Sequence, residues 1–263
     1  MQRITSKDNP IVKHISKLIK SSGYRSECSQ FVIEGARLCA DALDSNVNIE
    51  TVIVSDSAFE KYKPQVDKLV EVCESTFVFS DKLFSQISDT KSPQGVLCVC
   101  NIKSKKFNIN DKGVYLALEH IQDPSNMGTI LRTAEALGVK GVILTNNCCD
   151  IYSPKVLRGT MGAVFRLPIH ICNSMVQTVK ELNSKNVTTI ATVVHNTAIP
   201  VTALTEEEKG YCAVLIGNEG NGLEAETISQ CSKQVTIPML GRAESLNASV
   251  AASICMWEVL RGQ

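Results

Sequence analysis

The apolar positions of this chain follow two periods in turn, and together they predict alternating helices and strands. Residues 9–19 place apolar side chains at helical spacing, which predicts a short amphipathic helix with Asp8 or Asn9 as its cap and Pro10 in its first turn. Short apolar runs and helical periods then alternate, as is typical of a sheet covered by helices. The predicted elements are strand Gln30–Ile33, helix Ala36–Ser45, strand Thr51–Ser55, helix Glu60–Glu74, strand Thr76–Phe79, helix Asp81–Ile87 and strand Gly95–Cys100.

A polar, lysine-rich stretch from Asn101 to Lys112 has no apolar period and predicts a boundary between two domains. We expect a basic N-terminal helix over 1–22, a first domain over 23–103, a linker over 104–112 and a second domain over 113–263. Beyond the linker, near-continuous apolar runs predict a parallel sheet that is buried on both faces. Its predicted elements are strand Val114–Leu118, helix Gly128–Leu137, strand Gly141–Thr145, helix Ser153–Thr160, strand Arg166–Ile171, helix Ser174–Asn183, strands Thr188–Val194 and Tyr211–Ile216, helix Glu224–Cys231, strand Gln234–Ile237 and helix Asn247–Arg261.

The composition is ordinary for a soluble globular protein, with 44% hydrophobic and 21% charged residues. No apolar run approaches the roughly 20 residues that span a bilayer, and the start lacks the apolar core of a secretory signal, so we expect a cytoplasmic protein. Eleven cysteines are an odd number in a long chain, which favours reduced thiols over a disulfide framework. No Cys-x-x-Cys pair occurs and the four histidines are scattered, so no metal site is expected.

The formal net charge is zero, which by itself argues against a nucleic-acid partner. The distribution of charge argues the other way, because residues 1–25 hold six basic side chains and a single acidic one, Asp8. A second basic cluster in and around the predicted linker consists of Lys103, Lys105, Lys106 and Lys112. Such clusters are usually solvated surface, but on a neutral protein they also provide what binding of an RNA backbone requires.

Ligands of parallel sheets bind beyond the carboxyl ends of the strands, and three such ends carry unusual residues. The strand Val114–Leu118 is followed by turn-forming residues around Asn126 and by Arg132 on the opening turn of the predicted helix. An amide and a guanidinium beside a helix N-terminus suit a phosphate or an alkoxide. The alternative is that Asp123 and Asn126 only shape the turn and that Arg132 pairs with Glu135 on the surface.

The other two strand ends carry glycine and small polar residues. Tyr211–Ile216 leads into Gly217-Asn218-Glu219-Gly220-Asn221-Gly222, whose three glycines let the backbone approach a ligand closely. The run is not Gly-x-Gly-x-x-Gly, which disfavours a nicotinamide site. After Gln234–Ile237, a loop leads to Ser245 and Asn247 at the predicted start of a helix. These two residues are candidates for a ligand site, and the alternative is an ordinary helix cap.

Taken in order, the three motifs resemble those of the SpoU/TrmH branch of the SPOUT RNA 2′-O-ribose methyltransferases. The matching residues are Asn126, Gly128 and Arg132, then Gly217-Asn218-Glu219-Gly220-x-Gly222-Leu223, then Ile237-Pro238-Met239 and Ser245-Leu246-Asn247-x-Ser249. The stretch from Ser153 to Pro168 is similar to the one that separates the first two motifs in the family. The patterns Ile4-Thr-Ser-Lys-x-Asn9-Pro10 and Phe31-Val-Ile-Glu-Gly35 resemble the substrate-binding domain of many members, so essentially the whole chain is covered.

The resemblance implies an α/β fold with two parts. The C-terminal part is expected to be a SPOUT α/β-knot domain, a parallel sheet with a deep trefoil knot, and the small N-terminal α/β domain is expected to be ribosomal-protein-like and to bind the substrate. The implied cofactor is S-adenosylmethionine, and the implied acceptor is a ribose 2′-hydroxyl in RNA. The implied cofactor-binding residues are Thr192, Val193, Val194, Gly217, Asn218, Gly220, Ile237, Met239, Ser245 and Leu246.

The same resemblance implies a set of catalytic residues, which are Arg132, Asn126, Glu219, Ser245 and Asn247. Related enzymes use the residue at the position of Arg132 on the 2′-hydroxyl. Because a guanidinium stays protonated in proteins, we expect Arg132 to bind the neighbouring phosphate and stabilise charge on the 2′-oxygen rather than to act as a general base. The other four are expected to orient the nucleotide and hold the cofactor loops.

The resemblance also implies a homodimer. Ile254, Trp257 and Leu260 lie at helical spacing, which fits either an interface or an ordinary core. The RNA is expected to be structured, and the separate substrate domain favours ribosomal over transfer RNA. Two other classes stay open here: a non-catalytic RNA- or ribosome-binding protein, against which the intact motif set argues, and a nucleotide-dependent oxidoreductase, against which the missing dinucleotide pattern argues.

Overall fold

A computed structural model of the chain describes residues 1–73, 75–103, 107–109, 111–195 and 197–261. These residues fall into two compact units, Met1–Lys103 with Asp150–Phe165, and Ser104–Cys149 with Arg166–Gln263. The domain boundaries drawn from the sequence stay a prediction. Lys105 and Lys106 of the basic cluster, part of the predicted linker, and Glu74 lie outside the described residues. None of the helices within the described ranges is long and apolar enough to cross a membrane.

The first unit contains a mixed five-stranded sheet with helices packed on it. Its elements are β1 (Gln2–Ile4), α1 (Pro10–Lys20), α2 (Ser22–Cys28), β2 (Gln30–Glu34), α3 (Ala36–Asp44), β3 (Ile49–Ser55), α4 (Asp56–Lys61), α5 (Lys63–Val72), β4 (Ser75–Phe79), α6 (Asp81–Ile87) and β5 (Val96–Asn101). The strand order is β1-β4-β3-β5-β2. The first three strands pair in parallel, whereas β5 is antiparallel to β3 and β2.

Helix α1 shows how the local sequence determines an element. Asn9, rather than Asp8, is its cap, with the Oδ1 atom of Asn9 accepting the N–H of Ile11 at 3.0 Å. Pro10 occupies the first turn, where its missing N–H has no cost. The apolar face is buried, and the lysines of the opposite face (Lys13, Lys17 and Lys20) are exposed.

Sequence reasoning was wrong on one helix of this unit and did not predict β1 or α2. The predicted helix Glu60–Glu74 is two helices, α4 and α5, separated at Tyr62. A continuous helix would place the ring of Pro64 against the carbonyl of Glu60 and remove one hydrogen bond. Helix α4 therefore ends before Tyr62, and α5 begins after it with Pro64 in its first turn.

From Val114 onward the chain forms a second set of elements. They are β6 (Val114–Leu118), α7 (Pro124–Ala136), β7 (Gly141–Thr145), α8 (Pro154–Thr160), α9 (Ala163–Arg166), β8 (Ile169–Cys172), α10 (Met175–Ser184), β9 (Thr188–Thr192), β10 (Ile199–Pro200), a 3₁₀ turn (Val201–Ala203), α11 (Glu206–Gly210), β11 (Cys212–Ile216), α12 (Ala225–Gln230), β12 (Lys233–Thr236) and α13 (Ala248–Leu260). The sequence did not predict β10, the 3₁₀ turn or α11, which are all short.

Two predicted elements in this part have a boundary that is wrong by more than two residues. Helix α7 begins at Pro124 and not at Gly128, because Asp123 caps it by accepting the N–H of Ser125 at 2.7 Å. Arg132 therefore lies in the third turn of the helix and not in its first. The predicted strand Arg166–Ile171 is the end of α9 followed by β8, since Pro168 has no N–H to donate to a strand ladder.

The sheet of the second unit has seven strands in the order β10-β12-β9-β11-β6-β7-β8, and every pairing between them is parallel. All residues of β6, β7 and β11 are buried, which confirms the prediction of a parallel sheet covered on both faces. Because the strands are parallel, the carboxyl ends of β12, β9, β11 and β6 lie side by side along one edge. The three motifs start from this edge.

The segment Asp150–Phe165 follows β7 in the chain but belongs to the first unit. Arg25 holds it there: this side chain is only 5% exposed, and it forms an ion pair with Asp150 at 2.6 Å. The guanidinium of Arg25 also donates to the carbonyl of Leu18 at 2.5 Å, so the buried charge is fully engaged. Phe31 stacks on Tyr152, with ring centroids 4.7 Å apart.

Candidate functional site

Side chains from all three motifs meet at the carboxyl edge of the second sheet. The Nδ2 group of Asn247 donates to Oδ1 of Asn126 at 3.0 Å, and Nδ2 of Asn126 donates to Oε1 of Glu219 at 3.0 Å. The two bonds join residues that are 121 and 93 positions apart in the chain. Because Oδ1 of Asn247 accepts the cap bonds, its Nδ2 faces Asn126. Because Nδ2 of Asn126 donates to Glu219, its Oδ1 faces Asn247. We call Asn126, Glu219 and Asn247 the motif cluster.

Asn126 is the central member of the motif cluster and is buried in the first turn of α7. The turn is held by the Asp123 cap and by Pro124, so the position of the amide is set locally. Buried amides need partners for both ends of the side chain, and here Glu219 and Asn247 provide them. Loss of either bond would leave a buried polar atom without a partner.

Glu219 receives several hydrogen bonds. Its carboxylate accepts from Asn126 and from the N–H groups of Asp123 at 3.2 Å and Gln122 at 3.3 Å. Desolvation by burial raises the pKa of Glu219, but the hydrogen bonds from Asn126, Asp123 and Gln122 outweigh it, and the pKa lies below its ordinary value of 4.5. Glu219 is therefore ionised near neutral pH and binds the loop that leads into α7.

The glycine-rich loop after β11 closes on itself. The N–H of Asn218 bonds the carbonyl of Gly222, and the N–H of Gly222 bonds the carbonyl of Asn218. The Asn218 side chain donates to the carbonyl of His120 at 2.8 Å. A Cβ atom on Gly217 would lie 2.1 Å from the backbone of Gly222 and of Leu223, so no other residue fits at this position without moving main chain.

Asn247 caps α13. Its Oδ1 atom accepts the N–H of Ser249 at 2.9 Å and of Val250 at 3.4 Å, and also the hydroxyl of Ser249 at 2.6 Å. The alternative reading of Asn247 as a helix cap is thus confirmed, alongside its bond to Asn126. Ser245 is exposed and does not cap the helix. Ser249 is a further member of this network to which sequence reasoning assigned no role.

A cavity of about 760 Å³ lies beside the motif cluster, between the ends of β9 and β11 and the start of α13. Eight of the ten predicted cofactor-binding residues line it, namely Thr192, Val193, Val194, Gly217, Asn218, Gly220, Ser245 and Leu246. Ile237 and Met239 do not line it. Sequence reasoning missed apolar wall residues of this cavity, among them Leu223 and Ile228. Ile228 lies in the short helix α12, where no local signal separates it from ordinary core, whereas Leu223 ends the second motif and could have been identified from it.

Arg132 is exposed and forms no hydrogen bond or ion pair with any residue that the structure describes. The alternative of a surface pair with Glu135 is wrong, because Arg166 donates to Glu135 at 2.6 Å. Six residues separate Arg132 from Asn126, which is about 9 Å along the helix axis. The fold therefore does not bond Arg132 to the motif cluster and leaves its guanidinium available to solvent.

Glu119 is a positioning residue that sequence reasoning did not assign. Its side chain is buried at the end of β6, where it accepts the N–H of Glu224 at 2.8 Å and the hydroxyl of Thr227 at 2.6 Å. These bonds hold the start of α12, and α12 supplies Ala225 and Ile228 to the cavity wall. A carboxylate directly after a fully apolar strand is the signal that could have identified it.

A model of the SpoU rRNA Methylase family matches residues 113–257, which is more than half of the chain. The chain belongs to the SpoU rRNA methylase family. The matched range contains all three motifs and the cavity. A second model, the MRM3-like substrate binding domain, matches residues 9–98 of this SpoU family member.

Relatives of this SpoU methylase match along its whole length. It is 31% identical over 262 residues to the 23S rRNA (guanosine(2553)-2′-O)-methyltransferase RlmP of Bacillus subtilis, with 100% of both chains covered. The crystal structure of an rRNA methyltransferase from Sinorhizobium meliloti has a TM-score of 0.87 at 29% identity, covering 99% of this chain and 97% of that one. The AdoMet-bound form of the Sinorhizobium enzyme has a TM-score of 0.85 at 30% identity, with the same coverage.

These similarities confirm the family, the α/β fold with its parallel sheet and N-terminal substrate-binding domain, and the enzyme class. The SpoU family member described here is an RNA methyltransferase that uses S-adenosylmethionine. The individual site residues, the trefoil knot and the homodimer stay predictions. Among the described residues, no three His, Cys, Asp or Glu side chains come together in a group that could hold a metal ion.

Proposed function

We propose that this chain methylates the 2′-hydroxyl of a ribose in structured ribosomal RNA, with the motif cluster at its active site. The bond chain from Asn247 through Asn126 to Glu219 carries the proposal. It joins the three motifs of the family into one unit beside a cavity of cofactor size. A helix cap needs only Oδ1 of Asn247, so the bond from its Nδ2 to Asn126 is additional to capping.

The cavity fits S-adenosylmethionine in size and chemistry. Its volume lies within the roughly 300–1,000 Å³ that is typical of cofactor sites. Leu223, Ile228 and Leu246 offer apolar walls for an adenine ring, and the bare backbone at Gly217 allows close approach. Glu219 and Glu244 also line it, and carboxylates suit a ligand that carries positive charge on sulfur and on an amino group.

When bound, S-adenosylmethionine supplies an activated methyl group, and the overall reaction forms a C–O bond to the 2′-oxygen, breaks the C–S bond and releases the hydroxyl proton. The chain has to align the hydroxyl and stabilise the charge that develops on its oxygen. We assign the second task to Arg132, whose exposed guanidinium can bind the adjacent phosphate. Asn126, Glu219 and Asn247 orient the nucleotide, and Ser245 contacts ligand at the cavity wall.

Ribosomal RNA is favoured over transfer RNA as the substrate. The Bacillus relative acts on 23S rRNA and matches this chain from end to end. Residues 9–98 match a substrate-binding domain, and α1 in that range exposes a row of lysines to solvent. Lysines on one helix face suit an RNA backbone, and we expect binding to weaken as salt is raised.

We also propose the homodimer and the trefoil knot that the family resemblance implied. Ile254 and Trp257 are not core residues, because 37% and 59% of their surface is exposed. With Val250, which is 45% exposed, they form an apolar stripe on α13 at helical spacing. A second copy of the chain is the occupant that we assign to this stripe. The cytoplasmic location expected from the sequence also stays a prediction.

Two measurements test the proposed function. Calorimetry should detect binding of S-adenosylhomocysteine and not of NAD. Labelled S-adenosylmethionine should transfer its methyl group to ribosomal RNA that lacks this modification, and mapping should place the label on a ribose 2′-oxygen. Cofactor binding without transfer to any RNA would contradict the assignment of ribosomal RNA as acceptor. Transfer to transfer RNA alone would overturn the substrate class, and label on a base would overturn the reaction.

A further inference from the structure

A second cavity, of about 330 Å³, lies wholly within the first unit. We call it the α3 pocket. Its wall is made by the start of α3, the loop between α6 and β5, and the end of α8, and the residues used below are Arg37, Leu38, Gln94, Arg158 and Met161. These residues belong to none of the three motifs, and they do not line the cavity of about 760 Å³ beside the motif cluster, which we call the cofactor cavity.

The α3 pocket has an apolar part formed by Leu38 and Met161. Met161 follows α8 with a left-handed backbone (φ 49°), which is unusual for a residue with a long side chain. Its side chain is 42% exposed, although Met would normally be buried. A polarisable thioether makes favourable contacts with aromatic rings, so this wall suits a flat heterocycle.

The polar groups of the α3 pocket point to a hydrogen-bond acceptor on that heterocycle. The Oε1 atom of Gln94 accepts the N–H of Ala36 at 2.9 Å, which leaves its Nε2 donor without a partner among the described residues. Arg158 binds Asp89 at 2.8 Å through one terminal nitrogen. Its other terminal nitrogen is buried, so a ligand cannot reach it, and it has no hydrogen-bond partner among the described residues. Gln94 is an exposed residue, so its Nε2 group can donate to an acceptor on a ligand in the pocket.

The loop that carries Gln94 is held in place before any ligand arrives. Glu34 accepts the hydroxyl of Ser88 at 2.6 Å, the hydroxyl of Thr90 at 2.7 Å and the N–H of Asp89 at 3.3 Å. These bonds tie the loop to the end of β2. The α3 pocket is thus pre-organised, which reduces the ordering that binding requires.

Charge distinguishes between the possible parts of a nucleotide. Arg37 and Arg158 bring two positive charges to the α3 pocket, while Glu34 and Asp41 line it and Asp89 pairs with Arg158. Positive and negative charges nearly cancel, so the pocket does not suit a phosphate group. A neutral base matches both this balance and the apolar wall. Proteins commonly read RNA through unpaired bases that leave the stack.

We propose that the α3 pocket binds one unpaired base of the RNA substrate, with its ring on Leu38 and Met161 and an acceptor atom on the Nε2 group of Gln94. The inference builds on the proposed function, because it assigns the pocket to recognition of the RNA that is methylated.

The test uses the full chain with single-stranded RNA oligonucleotides of A, C, G or U, a blunt RNA duplex and the four nucleoside monophosphates as probes. Met161→Gly removes the thioether and relaxes the left-handed residue, so it should fold. Gln94→Glu keeps the acceptor for Ala36 and replaces the donor. Val72→Ala is a matched control, since Val72 is exposed in the same unit and does not line the pocket.

Met161→Gly removes an apolar contact with the base and Gln94→Glu removes a donor to it, so each should weaken binding of at least one single-stranded RNA by about tenfold. Duplex binding should not change, and the KM for RNA should rise with kcat unchanged. Equal weakening for duplex, or none for any single strand, would overturn the proposal. Monophosphates that bind as tightly as oligonucleotides would show a free-nucleotide site instead.

Cofactor calorimetry separates this inference from the proposed function. Met161→Gly should bind S-adenosylhomocysteine as the parent chain does, because the α3 pocket and the cofactor cavity share no residues. If the parent chain fails to bind it, the proposed function fails. If the parent chain binds S-adenosylhomocysteine and transfers methyl groups, but the variants bind every RNA as tightly as the parent does, only the α3 pocket inference is refuted.

Discussion

Replacing Asn247 by aspartate should separate the capping role of this residue from its role in the motif cluster. The Oδ1 atom of Asn247 caps α13, and its Nδ2 donates to Asn126. Aspartate keeps an acceptor for the cap and places negative charge where a helix N-terminus favours it. It has no donor for Asn126, so only the second role is lost. Alanine loses both roles.

The size of each loss follows from the typical cost of losing such a contact. Removing an Asn cap costs about 0.5–2 kcal/mol, so Asn247→Ala should be less stable than Asn247→Asp by that amount. For a chain of this size the difference is roughly 1–8 °C in Tm. Both variants leave Oδ1 of buried Asn126 without its donor, which costs about 1–3 kcal/mol. If that cost falls on the transition state, methyl transfer slows roughly 5- to 150-fold in both.

Thermal unfolding and methyl transfer under single-turnover conditions measure the two effects separately. Asn247→Ser is the uncharged control, because serine caps helices well but is too short to reach Asn126. It should behave like the aspartate variant in both assays. Near-normal transfer by the aspartate and serine variants would refute the role of the bond to Asn126 and leave Asn247 as a cap alone. An aspartate variant as unstable as the alanine variant would refute the capping assignment.

Four further predictions concern the same unit. Gly217→Ala should abolish S-adenosylhomocysteine binding in calorimetry and cost about 1–3 kcal/mol of stability, because its Cβ would lie 2.1 Å from main chain. Gly210→Ala should do neither, because a Cβ there meets nothing within 4 Å and Gly210 does not line the cavity; equal behaviour of the two variants would contradict the packing argument. Arg132→Ala should abolish methyl transfer in a filter assay while calorimetric cofactor affinity stays within a few-fold; persisting transfer would remove Arg132 from the reaction. The pKa of Glu219 is lowered in the folded state, so the stability that its ionised carboxylate contributes is present above pH 4.5 and is lost as pH falls through the folded pKa. Cofactor binding measured by calorimetry should weaken over the same pH range. A Glu219→Gln variant whose cofactor binding weakens in the same way at low pH would refute this. Trp257→Glu should shift the chain from dimer to monomer in analytical ultracentrifugation, and an unchanged mass would exclude α13 as the interface.

Much of the fold could be predicted from sequence because its elements carry strong local signals. The bounds of β6, β7 and α6 agree residue for residue with the apolar runs and periods. The errors lie where a proline changes what a helix or strand can do, as at Pro64 and Pro124. Short elements such as β10 were missed because two residues carry no readable period.

The three motifs at the strand ends, their order and the apolar strands before them were determined by the sequence alone, because they depend on residue type and spacing. Tertiary structure decided which of these residues touch. The bonds from Asn126 to Glu219 and Asn247 cross 93 and 121 positions, and strand register sets such distances. Long-range packing also decides that Glu135 pairs with Arg166 and not with Arg132. It likewise places Asp150–Phe165 in the first unit, and no local sequence pattern encodes either result.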